Sequence, residues 1–580
     1  MADSDKGGGR DESRSLLRGA GVFGALTAAS RALGLVRTLA VSSLLPPLYR
    51  DAFMLAFRIP NMFRNLFGEG ALTSSFVPGY VEMVEAGDRE GANRLASLVA
   101  TALAVLLGGI AVLGVLVSVV VRKGVQPSEN TARVLQLLEV MSPFLPLVCL
   151  YAFFIAVLTS HRRFAMPSGA PMLLNLAMLA GAWFAWKNYS GDPGTGVFVI
   201  AWAVVIGGVL QLAVQLPAAW SCGVRLSPVV DLRDEAFRGV LGRMGPVLVG
   251  TSAYQVCILV NSLLAVSLCA RGSVSYLTNS NILVMAPVGV VAVAMSAAAL
   301  PVLSSLHARK DRDGFNTSFL DAARMGVFVL MPVATVLVFN GEPIVRLLFE
   351  RGGWNWEETP RMTRVLCWAA GGLVPTVLVM LASRAFYAMK KPWVPARIAV
   401  ITVAVNLVLS FLLVRAGDLA DSVFGALSLG QGGGASGVLL DPHALREADR
   451  PALWVSGAPG LALATCSAVW LQAVLLLGAL RRERGELRLE PVAWTLLRTA
   501  ALCALMAVVV NWVRNSLPPQ GEGFLVDPQR GIAPVIVGGF AYWLVASLVD
   551  AREYRELWAI IRPRRKKKGK GEEGGVENGD

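Results

Sequence analysis

Arg31, Arg37, Arg58 and Arg64 stand inside stretches that are otherwise apolar, Ser30-Arg31-Ala32-Leu33-Gly34-Leu35-Val36-Arg37 and Phe57-Arg58-Ile59-Pro60-Asn61-Met62-Phe63-Arg64. Both stretches read as membrane helices, and an arginine at the centre of a bilayer costs roughly 2.5 to 3.5 kcal/mol on insertion scales. Such side chains must face water, a carboxylate or a ligand. The local acids are Asp51 and Glu69, too few for the four guanidinium groups of one hairpin. Most acids elsewhere fall in loops, so an anion from outside the chain is the better counterion. A guanidinium is a planar fork that grips phosphate oxygens in pairs and stays charged at any accessible pH. The surplus suits a diphosphate. Arg384 and Arg498 also lie in apolar runs, but near their ends, where a long side chain snorkels to the interface. Pro60 removes a backbone donor and is expected to kink the second helix, while Gly34 and Gly70 permit close approach or bending.

The elements that must carry these residues follow from composition. Of 580 residues 55% are hydrophobic and 16% charged, with a mean hydropathy of +0.57; soluble proteins carry about 25% charged residues. A soluble globular enzyme is excluded. The net charge of +13 would suggest nucleic acid in a soluble protein, but the excess lies in short loops, and no nucleic-acid partner is expected. Apolar runs long enough to cross a bilayer number about 14, near 17–44, 51–81, 95–121, 134–159, 167–187, 195–220, 240–269, 273–306, 318–340, 364–388, 394–415, 452–480, 492–513 and 531–549. The fold class is therefore all-α and integral to the membrane. An even count puts both termini on one side, and the Lys and Arg bias of the loops, with Arg162-Arg163, Arg309-Lys310, Lys390-Lys391 and Arg481-Arg482, makes that side cytoplasmic. Residues 1–16 form a polar cytoplasmic start without a cleavable signal, and 551–580 a basic solvated tail.

A weak internal repeat divides the spans. Arg162-Arg163-Phe164-Ala165-Met166-Pro167 corresponds to Lys390-Lys391-Pro392-Trp393-Val394-Pro395, and Leu174-Asn175-Leu176 to Val405-Asn406-Leu407. This predicts an N-lobe over 17–222 and a C-lobe over 223–480 in a pseudo-twofold arrangement of six helices each, followed by two helices within 481–550. The C-lobe carries an extracytoplasmic insertion at 416–450. Two bundles that rock about a central site are a transporter's architecture. The histidines, His161, His307 and His443, are scattered, the cysteines show no metal spacing, and no phosphate-binding P-loop occurs. No cofactor or metal is expected, and membrane potential and a cation gradient both stand open as the driving force. An enzyme acting on polyprenyl phosphates would want the arginines too, but also a metal site or an acid/base pair.

The string Ser30-Arg31-x-x-Gly34-x-x-Arg37, followed by Asp51-Ala52-Phe53, Ile59-Pro60-Asn61, Arg64, Glu69-Gly70-Ala71 and Phe76-Val77-Pro78, resembles the MurJ (MviN) family of lipid II flippases. The likeness extends to Met244-Gly245-Pro246 and Gly272-Ser273-Val274-Ser275 and covers about residues 20 to 550. The resemblance implies two six-helix lobes around a cationic cavity, a lipid-tail groove at the last two helices, and alternating access in the bacterial cytoplasmic membrane. It implies lipid II or a related polyprenyl-diphosphate glycolipid as partner, membrane lipids around it, and a chain that works as a monomer. Carried over by motif, Arg31, Arg37 and Arg64 match the family's essential arginines, with Arg58 at a basic position. Ser30, Asp51 and Ser275 match positions around its cavity, and Asn61 and Asn281 complete the expected substrate contacts. Gly34, Asp51, Pro60, Glu69 and Gly70 are the expected gating positions. Two departures stand out: Thr38 replaces an acid, and Asn281-Ile282 replaces an acid-arginine couple. Export of another polyprenyl-linked glycan is the alternative these departures favour.

Overall fold

The computed structural model describes residues 26, 29–72, 75–125, 127–161, 163, 165–427, 457–485, 487–517, 526–549 and 552–561. Helix α1 covers 29–44. The N-terminal half continues with α2 (Pro47–Arg64), α3 (Val77–Glu85), α4 (Arg89–Gly124), α5 (Glu129–Met141), α6 (Phe144–Ser160), α7 (Ala165–Tyr189), α8 (Pro193–Ala213) and α9 (Gln215–Ser221). Then come α10 (Glu235–Leu268), α11 (Ser273–Val290), α12 (Ala292–Ala308), α13 (Arg312–Phe339), α14 (Gly341–Phe349), α15 (Glu358–Ala370), α16 (Leu373–Ala388), α17 (Trp393–Leu427) and α18 (Ala458–Arg484). The last are α19 (Glu490–Ser516), α20 (Val526–Leu548) and α21 (Arg552–Ile561). Connectors start the helices by capping: Asp88, Ser128, Asp192, Asp234 and Asp311 each accept a bond from the amide three residues on, satisfying donors that a helix start leaves open.

Among the described residues ten helices are long and apolar enough to cross a membrane, and α5 with α6, bent by 50°, makes an eleventh. The expected spans at 17–44, 51–81 and 240–269 fall outside that set. The first two carry the arginines and lie partly outside the described residues, and of α10 the stretch Gln255–Leu268 is a shorter apolar helix among the described residues. The second span is also broken. Helix α2 runs through Pro60 to Arg64, and the chain then widens into a π-helical stretch, Asn65–Leu72, before α3. Wide turns of this kind mark functional segments more often than plain helix does.

Two further expectations change. Helix α17 reaches Leu427, into the stretch read as a loop, while 428–456 lies outside the described residues. The start of the tail is not free either: α21 packs back on the bundle, and 562–580, like 1–25, lies outside the described residues. Buried apolar side chains gather in three clusters. One draws mainly on α1 to α10 and takes in Val274, Val414 and Leu461, one runs over α11 to α19, and a smaller one joins α13, α19 and α20, where the Tyr542 hydroxyl donates to the Phe328 carbonyl at 2.8 Å. Arg31 and Arg58 reach from the first half toward the second.

Candidate substrate chamber and its far-end seal

The end of the bundle where α1 begins is called near here, and the end where α1 turns into α2 far. On α1, positions 30, 34 and 37 recur at helical spacing and face α7, where Asn175 meets all three. Arg37 Nη1 donates to Asn175 Oδ1 at 2.9 Å, and Asn175 Nδ2 donates to the Ser30 carbonyl at 3.1 Å. A Cβ on Gly34 would lie 3.6 Å from that amide, an ordinary contact distance, so Gly34 lies directly against it. Arg37 Nη2 donates to Thr38 Oγ1 at 3.4 Å, its guanidinium stacks over the Phe57 ring at 5.5 Å, and Arg64 lies near enough to act on it as a like charge. Arg31 is exposed and lies against Gly289 of α11, where a Cβ would come within 2.7 Å of its Nη1. Among the described residues no carboxylate bonds to Arg31 or Arg37.

Arg58 crosses from α2 to the C-terminal half, giving Nη1 to Ser262 of α10 and Nη2 to Thr278 of α11 at 2.7 Å. Asn61 folds back on its own helix, its amide donating to the Phe57 carbonyl at 2.9 Å. Asn281 is exposed on α11, one residue before Ile282. The side chains of Glu69 and Gly70 lie outside the described residues. Near the near end a cleft of about 650 Å³ opens between α3 and α10, lined by Glu82, Asp88, Glu235 and Arg243.

The far end is closed by charge. Asp51 is 1% exposed and accepts from the Gly272 amide at 2.7 Å, the Ser275 amide at 2.9 Å and the Ser275 hydroxyl. It thus caps α11, where helix-end amides favour a carboxylate. Ser275, expected on the substrate, is fully buried and committed to Asp51. Beside it Arg50, at 0% exposure, pairs with Glu358 at the start of α15, donates to the Ser42 carbonyl at 3.1 Å and stacks on Trp354 at 4.2 Å. Glu358 also accepts from the Tyr276 hydroxyl at 3.2 Å and the Asn355 amide at 3.0 Å. Gly352 has φ +60°, and a Cβ there would strike the Ser43 carbonyl, so only glycine lets the α14–α15 connector press on α1.

The sequence pattern pointed to the arginines but not to their holders. Asn175 stood out only as a repeat mark, Thr278 only as one neutral donor of the stretch Ser275 to Asn281, and Arg50, Glu358 and Ser262 not at all; their signal was a polar residue inside, or beside, an apolar run. In the C-lobe Asn406, the repeat partner of Asn175, likewise ties α17 to its neighbours, accepting from Cys257 at 2.9 Å and donating to Thr465 at 3.4 Å. At the near end Glu553 of α21 is clamped by Arg498, by Arg324 at 2.7 Å and by the Thr495 hydroxyl at 3.0 Å. Burial pushes the Glu553 carboxyl up, but its backbone amide, Thr495 and the two arginines outweigh that and hold it below the ordinary glutamate value.

The sequence profile described as lipid II flippase MurJ matches residues 46–436. The chain belongs to the MurJ family. A probable lipid II flippase MurJ of Bdellovibrio bacteriovorus is 30% identical over 417 residues, 70% of this chain and 78% of that one. The lipid II flippase MurJ of Burkholderia cenocepacia is 30% identical over 425 residues, 71% and 81%, and a probable MurJ of Rhizobium tropici 29% over 548 residues, 91% and 93%. Among solved structures an inward closed MurJ matches with a TM-score of 0.70 at 21% identity, covering 92% of this chain and 99% of that one. An inward-facing multidrug transporter of the MATE family matches at 0.58 and 15% identity, covering 83% and 98%. The MurJ fold, shared with the wider superfamily of such exporters, is thus the fold of this chain.

Proposed function

We propose that the chain is a lipid II flippase, a multi-pass protein of the bacterial cytoplasmic membrane that moves the undecaprenyl-diphosphate-linked peptidoglycan precursor from the cytoplasmic to the outer leaflet. Family membership supports the class of substrate. The observation that carries the mechanism is that Arg31, lying against α11 of the other half, and Arg37 have no carboxylate bonded to them among the described residues. In this reading the near end faces the cytoplasm, as the Lys and Arg bias favours, and the headgroup enters there while its tail stays in lipid. Phosphate oxygens replace water around Arg31, Arg37, Arg58 and Arg64. Neutralising those charges removes their mutual repulsion and favours closure of the near end, and opening of the far end releases the cargo. A ligand drives such a change only through its differential affinity for the two states. Transport rather than covalent chemistry, action as a monomer, and cytoplasmic termini belong to the same reading.

The test is genetic. Arg31→Ala or Arg37→Ala should abolish rescue of a flippase-depleted bacterium at unchanged protein level in the membrane; normal growth refutes the chamber.

A further inference from the structure

We propose that Asn175 positions Arg37 for a lipid-borne phosphate, and that its lack of charge keeps that guanidinium available; this rests on the flippase reading above. Asn175 is 6% exposed on α7, where a polar side chain survives only with its bonds made. Both halves of its amide are used. Oδ1 takes Arg37 Nη1 at 2.9 Å, and Nδ2 reaches the Ser30 carbonyl at 3.1 Å, two turns earlier on α1. The other groups touching Arg37 are the Thr38 hydroxyl, itself tied to the Gly34 carbonyl at 2.9 Å, and the Phe57 ring. All are neutral. They fix where the guanidinium points without cancelling what it carries, and Arg64 adds a like charge nearby.

Aspartate has nearly the shape of asparagine and would accept from Arg37 more strongly, as an ion pair. It would orient the arginine and spend its charge at once. Leucine, of similar volume, would do the reverse, leaving the charge while removing both bonds. A purely structural role for Asn175 and a charge-setting role therefore predict opposite orders for the two variants.

The experiment measures binding to the purified full-length protein by native mass spectrometry, with undecaprenyl diphosphate and, as a probe with the same kind of tail and no charge, undecaprenol. The unaltered protein should prefer the diphosphate. Asn175→Leu should lower that preference about tenfold, and Asn175→Asp more, toward about a hundredfold, the range for one or two charge-assisted hydrogen bonds. Undecaprenol binding should not change in either. An aspartate variant that keeps the parent's preference, or loses both lipids equally, overturns the proposal while the flippase reading stands. An unaltered protein with no preference for diphosphate overturns both. Should the aspartate variant not fold, the leucine variant decides alone: a charged ligand lost selectively supports the positioning role, and parallel loss of both lipids overturns it.

Discussion

Glu358→Gln isolates the charge of the far-end seal from its shape. Glutamine keeps the volume and an acceptor for the Tyr276 hydroxyl, but it leaves Arg50, fully buried against Trp354, without its counter-charge. Removing one partner of a buried ion pair costs about 3 to 5 kcal/mol, because the remaining charge stays out of water. That cost falls on the sealed state alone, since opening the far end lets water reach Arg50. At 1.36 kcal/mol per decade, the sealed-to-open ratio should drop by roughly two to four orders of magnitude. Spin labels at Val125 and Trp356, 72% and 71% exposed on far-end connectors of the two halves, would read the change as a longer inter-label distance. Replacing both partners by apolar residues, as in Arg50→Met with Glu358→Leu, should restore the short distance, because the stranded charge is gone. An unchanged distance distribution in Glu358→Gln would refute the seal as a charge-based device.

Asp51→Asn should also loosen the far end, by about 1 to 3 kcal/mol, since it weakens the acceptor that caps α11; the same labels would report it, and a sealed population equal to the parent's would count against the cap. Ile282→Arg places a cation one turn beyond Thr278 on α11, where the family resemblance implies one, and should tighten undecaprenyl diphosphate binding about tenfold in native mass spectrometry; no gain would argue that Ile282 lies off the chamber. Glu553→Gln should undock α21 and speed tryptic cleavage after Arg552 and Arg555. Because the Glu553 carboxyl is held below its ordinary value, docking is complete at neutral pH and is lost only as pH falls through and below the usual glutamate range. Undocking on raising the pH from neutral would contradict that assignment.

The sequence by itself determined that the chain is a helical membrane protein, because apolar runs of bilayer length have no other way to satisfy their backbone in lipid. It also marked Arg31, Arg37, Arg58 and Arg64 as a surplus of positive charge over the local acids, since charge within a hairpin is a local count. The broken second span was not legible: Pro60 signalled a kink, but α2 passes through it, and the π-helical stretch follows at Asn65–Leu72. Nor did the basic C-terminal sequence reveal that Glu553 would be drawn in by Arg324 and Arg498 from other helices. Only tertiary structure decided which arginines point where. Arg37 is aimed by an asparagine 138 positions away, and Arg50 is neutralised by a glutamate 308 positions away. Helical periodicity tells which residues share a face, but the partner that face meets depends on how helices distant in sequence pack, and that separates an arginine left for a ligand from one spent on closing the protein.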